Sequence, residues 1–151
     1  MFNPDRNEAR EFLFELWGKQ RAGAALTALE SMALAVVLEH PEYHAILDDR
    51  ERYLERDWKP EGGETNPFLH LQMHLAIEEQ VSIDQPPGIR AAVEELARRR
   101  GSAHDARHDV MDCLAEMIWN AQRHGAAFDN AAYLDCLGKK QRSSGAGPAS
   151  T

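Results

Sequence analysis

Cysteine is scarce in this chain: Cys113 and Cys136 are the only two, and both fall inside helical patterns. That scarcity excludes a disulfide-framed small scaffold and a Cys-x-x-Cys metal knuckle, and each cysteine is expected to act as a small buried apolar side chain. Long apolar runs are missing too, since no stretch approaches the roughly 18 consecutive apolar residues of a bilayer-spanning helix. The N-terminus lacks the cationic start and apolar core of a secretory leader, so a soluble, cytoplasmic protein is expected. Positive charge is in deficit, with 17 Lys and Arg against 25 Asp and Glu and a formal charge of −8. A surface of that sign does not attract phosphate backbones or anionic membranes, so neither nucleic acid nor membrane is expected as a partner. The triplet Arg98, Arg99 and Arg100 falls at a helix end, where cations complement the negative end of the dipole. There is no Gly-rich phosphate loop, no Gly-x-Ser-x-Gly elbow and no His-Glu-x-x-His sequence, so no catalytic residue or organic-cofactor site is assigned.

Strand signals are absent and helix signals run throughout. Asn3-Pro4 places a capping residue before a proline at the first helical position, and Phe12, Leu13, Leu16 and Trp17 then form a helical stripe ending near Gly23. Thr27-Ala28-Leu29-Glu30 has the form of a capping box, in which Glu30 folds back onto the Thr27 amide, and it opens a helix carrying Leu29, Met32, Ala33, Val36 and Val37 on one side. Pro41 ends that helix, and short helical turns follow. The polar loop Lys59 to Thr65 leads to Asn66-Pro67, a second cap-then-proline start, and Asp84-Gln85-Pro86-Pro87-Gly88 closes the helix it opens. Ile89 to Arg100 is amphipathic and is stopped by Gly101. Ser102 caps a long helix that Gly125 ends, with Val110, Met111, Leu114, Met117, Ile118 and Ala121 as its core stripe. Asp129 caps a short last helix ending near Gly138. The expected architecture is all-α, a bundle of about five to six helices, with residues 1–138 as one domain and 139–151 as a disordered tail.

Histidine is abundant instead. Six of the seven form pairs spaced by four, His40/His44, His70/His74 and His104/His108. At roughly 100° per residue, His70 and His74 lie in the middle of a broad apolar arc with Ile77 and Val81, and Glu78 follows one turn further along its edge. Unpartnered imidazoles in such surroundings are costly, so either a bound cation or a closed hydrogen-bond network must satisfy them. His40 projects on the side of Ala33 and Val36. His44 depends on the turn after Pro41, and His104 lies near the edge of the stripe on its helix. The expected metal ligands are therefore His70, His74 and Glu78 first, then His40, His44 and His104. Nitrogen and oxygen donors without thiolate suit zinc, iron, manganese or nickel.

The segments His40-Pro41-Glu42-Tyr43-His44, Asn66 through Gln80 and Ser82 through Ile89 resemble a family of short proteobacterial proteins classed as a domain of unknown function. That resemblance spans nearly the whole chain apart from the tail; it implies a bacterial cytosolic protein and carries no activity with it. A looser similarity is to hemerythrin-like bundles, which hold two irons. On that pattern His44, His74 with Glu78, His104 with His108, and His124 with Asp129 would be ligands, although the gaps differ and Gly125 interrupts the last pair. DinB-like metal-binding bundles, with a three-His site, are similar to the same degree. The sequence thus reads as a helical bundle with an interior His/Glu site for a divalent metal. The alternatives are a metal-free interaction or assembly module with structural histidines, and a metal-dependent hydrolase or thiol-transfer enzyme acting on a small molecule. Substrate, metal and oligomeric state are left open.

Overall fold

The computed structural model describes residues 4–59 and 65–149, with side chains at 6–59 and 65–143. Asn3 and most of the polar loop, residues 60–64, lie outside the described residues. Among the described residues there are eight α-helices and no strand: α1 (Pro4–Ala22), α2 (Ala28–Leu38), α3 (His44–Leu47), α4 (Arg50–Tyr53), α5 (Pro67–Ile83), α6 (Ile89–Arg100), α7 (Ala103–His124) and α8 (Asn130–Ala149), with a 3-10 turn at Pro41–Tyr43. The all-helical expectation holds, while the count of five to six becomes eight. The excess comes from α3 and α4, single turns of four residues each. No helix of the described residues is long and apolar enough to cross a membrane.

The chain divides into two compact units, Met1–Leu75 and Ala76–Thr151, with the division inside α5. In the first, Leu13, Phe14, Leu16 and Trp17 of α1 pack with Ala33, Val36 and Val37 of α2, Leu47 of α3, and Phe68 and Leu71 of α5. The capping box is formed as the sequence implies: Thr27 Oγ1 accepts from the Glu30 amide at 3.1 Å and Glu30 Oε1 accepts from the Thr27 amide at 2.9 Å. Lys19 adds a charge-assisted bond to Glu30 Oε2 at 2.8 Å. That bond, with the Thr27 amide, holds the Glu30 carboxyl below the usual carboxylate range. Leu29 is 43 % exposed, so it falls off the buried stripe on which its spacing placed it.

Arg10 was not singled out from sequence and is among the most buried side chains of this unit, at 1 % exposure. Its Nη1 donates to the carbonyls of Leu54 and Arg56, both at 2.8 Å, and its guanidinium lies 4.7 Å from the ring centre of Phe68 and 5.4 Å from that of Trp58. A buried charge is tolerated where acceptors and aromatic faces replace water. Here those acceptors are the backbone groups left over where α4 ends.

In the second unit α6, α7 and α8 pack together through Ile89, Val93, Leu96, Val110, Leu114, Tyr133 and Leu137. Gly125 caps α7 at φ 60°, a left-handed backbone that glycine adopts without penalty. Ile118 is 38 % exposed rather than part of the core stripe. The turn into α6 is tied by Asp84, whose Oδ1 accepts from the amides of Gly88 at 3.2 Å and Arg90 at 2.9 Å.

Two sequence expectations are corrected here. Helix α8 does not stop near Gly138 but continues through Lys139 and Lys140 to Ala149. Its continuation has partners: Gln141 Nε2 donates to the Ala92 carbonyl at 3.2 Å, and Arg99 donates to the Gln141 carbonyl at 3.3 Å. The cysteines are not separate apolar fillers either, since Cys113 and Cys136 form a disulfide between α7 and α8. Their Cα atoms are 5.8 Å apart because the two helices run back on each other across the Gly125–Asp129 turn.

Candidate metal centre

His40 leaves α2 at its C-terminal end, where the backbone turns through φ −127° before Pro41. His70 and His74 come from α5, whose start is fixed by Asn66: its Oδ1 accepts from the amides of Phe68 at 3.0 Å and Leu69 at 3.2 Å. Spacing by four then sets the two imidazoles on one face, with ring centres 4.9 Å apart. His40 meets both of them, at 5.0 Å from His70 and 4.6 Å from His74. One nitrogen from each of the three lies within 4.8 Å of the others. His40 and His74 are each 2 % exposed, and His70 is half-buried.

The tautomer of His40 follows from its hydrogen bond. Nδ1 lies 2.8 Å from the carbonyl oxygen of Val36. A carbonyl only accepts, so the proton sits on Nδ1 and the Nε2 lone pair is directed elsewhere on the ring. This is the arrangement in which a backbone carbonyl orients a metal-binding imidazole and raises its basicity. Tyr43 completes the surround, its ring stacked on His40 at 5.7 Å and 4° and set edge-on to His70 at 5.9 Å. Burial pushes the Tyr43 phenol up from its ordinary value, with a smaller contribution from Glu42. The sequence reading passed over Tyr43. The available signal was its position three residues after His40, which the 3-10 turn at Pro41–Tyr43 converts into a stack.

The other expected ligands have different settings. His44 Nε2 donates to the Val37 carbonyl at 2.9 Å, and its ring lies 4.5 Å from that of Trp17. Glu78 receives the Arg107 guanidinium of α7, with Nε at 2.9 Å. His104 packs edge-on against His108 within α7, with ring centres 4.3 Å apart. Asp129, a ligand on the hemerythrin-like pattern, accepts from the Ala132 amide at 3.0 Å as the cap of α8.

Two imidazoles from α5 and one from the segment that follows α2 are thus brought together in an all-helical protein. The chain belongs to the family described as a domain of unknown function (DUF1841), whose profile matches residues 5–139. The resemblance to a domain-of-unknown-function family read from the sequence is borne out to that extent. No curated protein and no solved structure matches the chain.

Proposed function

We propose that the protein binds one divalent transition-metal ion through His40 Nε2, His70 and His74. The observation that carries this reading is the convergence of three imidazoles from separate segments in buried surroundings, with the His40 proton placed on the nitrogen facing away from the donor lone pair. Three neutral nitrogen donors and no thiolate suit zinc, iron, manganese or nickel, and three protein ligands leave coordination positions for water or a small-molecule substrate. An ion with such positions can act as a Lewis acid or lower the pKa of a bound water. A metal-dependent hydrolase is the reaction class to which that chemistry extends.

Elemental analysis of untagged protein, together with zinc titration of chelator-stripped protein by calorimetry, tests the assignment. The expected result is about one ion per chain, with affinity reduced about tenfold or more by alanine at His40, His70 or His74. His44→Ala, Glu78→Ala, His104→Ala and His108→Ala, read in the same way, test the remaining imidazoles and the carboxylate. Zinc binding unchanged in the three core variants, or no binding by the wild type, overturns the proposal. The latter outcome favours a metal-free assembly module whose imidazoles are structural.

A further inference from the structure

The disulfide between α7 and α8 joins two sulfurs in unlike surroundings. Cys113 is completely buried among Val110, Leu114 and Met117 on α7. Cys136, on α8, is half-buried, and Glu116 Oε2 lies 3.7 Å from its sulfur. The bond closes a loop of 23 positions that contains the whole α7–α8 turn. Opening it leaves both helices with their remaining ties: Lys140 to Asp112 at 3.5 Å, Gln141 to Ala92, and Tyr133 Oη to Gln80 Oε1 at 2.7 Å. Each thiol of the open form also has a suitable place. The Cys113 thiol stays in an apolar core that suits it, and the Cys136 thiol has the Glu116 carboxylate as an acceptor.

We infer that Cys113 and Cys136 form a reversible thiol–disulfide exchange site, with Cys136 the sulfur that meets the exchange partner, a low-molecular-weight thiol or disulfide of the glutathione type. In the oxidising direction Cys136 gives its proton to solvent and the thiolate attacks one sulfur of the small disulfide, forming a Cys136 mixed disulfide and releasing one small thiolate. Cys113 then gives its proton to solvent and attacks the Cys136 sulfur, which forms the protein disulfide and releases the second small thiolate. Two protein thiols lose two electrons, and one small disulfide becomes two thiols that take up the two protons. The reverse starts with attack of an external thiolate on the Cys136 sulfur, and Cys113 departs into the core. Access decides the order, because an attacking thiolate must approach its target sulfur along the S–S axis and Cys113 has no exposed surface.

The full-length protein is equilibrated in glutathione buffers of varied ratio, quenched in acid, alkylated and weighed intact. Native protein should pass reversibly between a form with no alkylatable thiol and a form with two as the ratio changes. Peptide mapping of samples quenched early should find glutathione on Cys136 and not on Cys113. In single variants exposed to oxidised glutathione, Cys113→Ala should acquire the mixed disulfide about tenfold or more faster than Cys136→Ala, the difference that access to a sulfur imposes. The oxidised wild type should melt several degrees above the form reduced with a phosphine, and the Cys113→Ala/Cys136→Ala double variant should show no such difference. Two thiols that stay alkylatable at every ratio, a bond that a phosphine reduces only after unfolding, or glutathione found first on Cys113 each overturns the assignment. The early-quench mapping uses the wild type, so the test does not depend on the single variants folding.

Discussion

Arg10 shows how a single side chain closes the end of one helix from within another. Its Nη1 answers carbonyls at Leu54 and Arg56 that no helical turn can satisfy, and the rings of Phe68 and Trp58 cover its faces. Arg10→Met keeps volume but leaves those acceptors buried and unpaired, so urea unfolding should show a loss of about 2–4 kcal/mol. Arg10→Lys should recover little of it, because an ammonium cannot reach the acceptors in the guanidinium plane or cover both rings. Asp84 is the second residue with a distinct signature. The amides of Arg90 and Gly88 hold its carboxyl below the ordinary value of 3.8, with the Arg90 amide the larger cause. A depressed folded value makes the ionised carboxylate stabilising above pH 3.8, and that contribution fades as the pH falls through the lowered folded value. Asp84→Asn keeps an accepting oxygen and tolerates the positive φ of 55° at this position. The variant should therefore have a lower urea midpoint than the wild type at neutral pH, and the two should converge in acid. A gap that is constant with pH would show that the charge of Asp84 has no part in holding the turn.

Helices with a chemical start and stop are legible in the sequence itself. Thr27 with Glu30, Asn66 with Pro67 and Ser102 each supply an oxygen where the first amides of a helix need one, and Gly101 and Gly125 supply left-handed stops. Removing one such cap should have a local, additive effect: Thr27→Ala is expected to lower stability by about 1 kcal/mol in thermal melts, with Glu30→Gln milder because it can still bond the Thr27 amide. Elsewhere tertiary partners overrule local pattern. Gly138 looked like a terminus, yet the Lys139–Arg142 stretch has good helix formers and docks Gln141 on the Ala92 carbonyl, a contact with a helix some 50 positions earlier that no local window contains. The helical turns expected after Pro41 are α3 and α4, single turns too short for periodicity to delimit as helices, and they raise the count.

Across the whole molecule, the candidate site was half legible. His70 and His74 were found because an interval of four in an apolar arc fixes their direction regardless of what surrounds the helix. His40 followed from its place on the Val36 side of α2. His44 was one proline away, and the 3-10 turn directs it to the Val37 carbonyl beside Trp17; Glu78 was on the expected helix, but its charge is matched by Arg107, which lies on α7. The cysteine pair was hidden for the same reason as the docking of Gln141, since pairing depends on two helices folding back on each other. If the imidazoles hold an ion, stability should depend on it by linkage. At free zinc about 100 times the dissociation constant, the metal-bound protein should gain about 2.7 kcal/mol over the chelated form, seen as a higher Tm that the His70→Ala/His74→Ala variant does not share. An equal Tm with and without chelator would place the imidazoles in a structural network instead.

The three imidazoles are supplied by parts of the chain separated by a stretch of about 30 positions, and on the proposed metal reading that stretch must close before all of them can grip one ion. A random coil offers at best a loose pair, so zinc added to a renaturing sample would be captured only by molecules in which the end of α2 has already met α5. Uptake of the ion would then keep a running census of correctly assembled chains, and a dye that competes for zinc would report that assembly in real time.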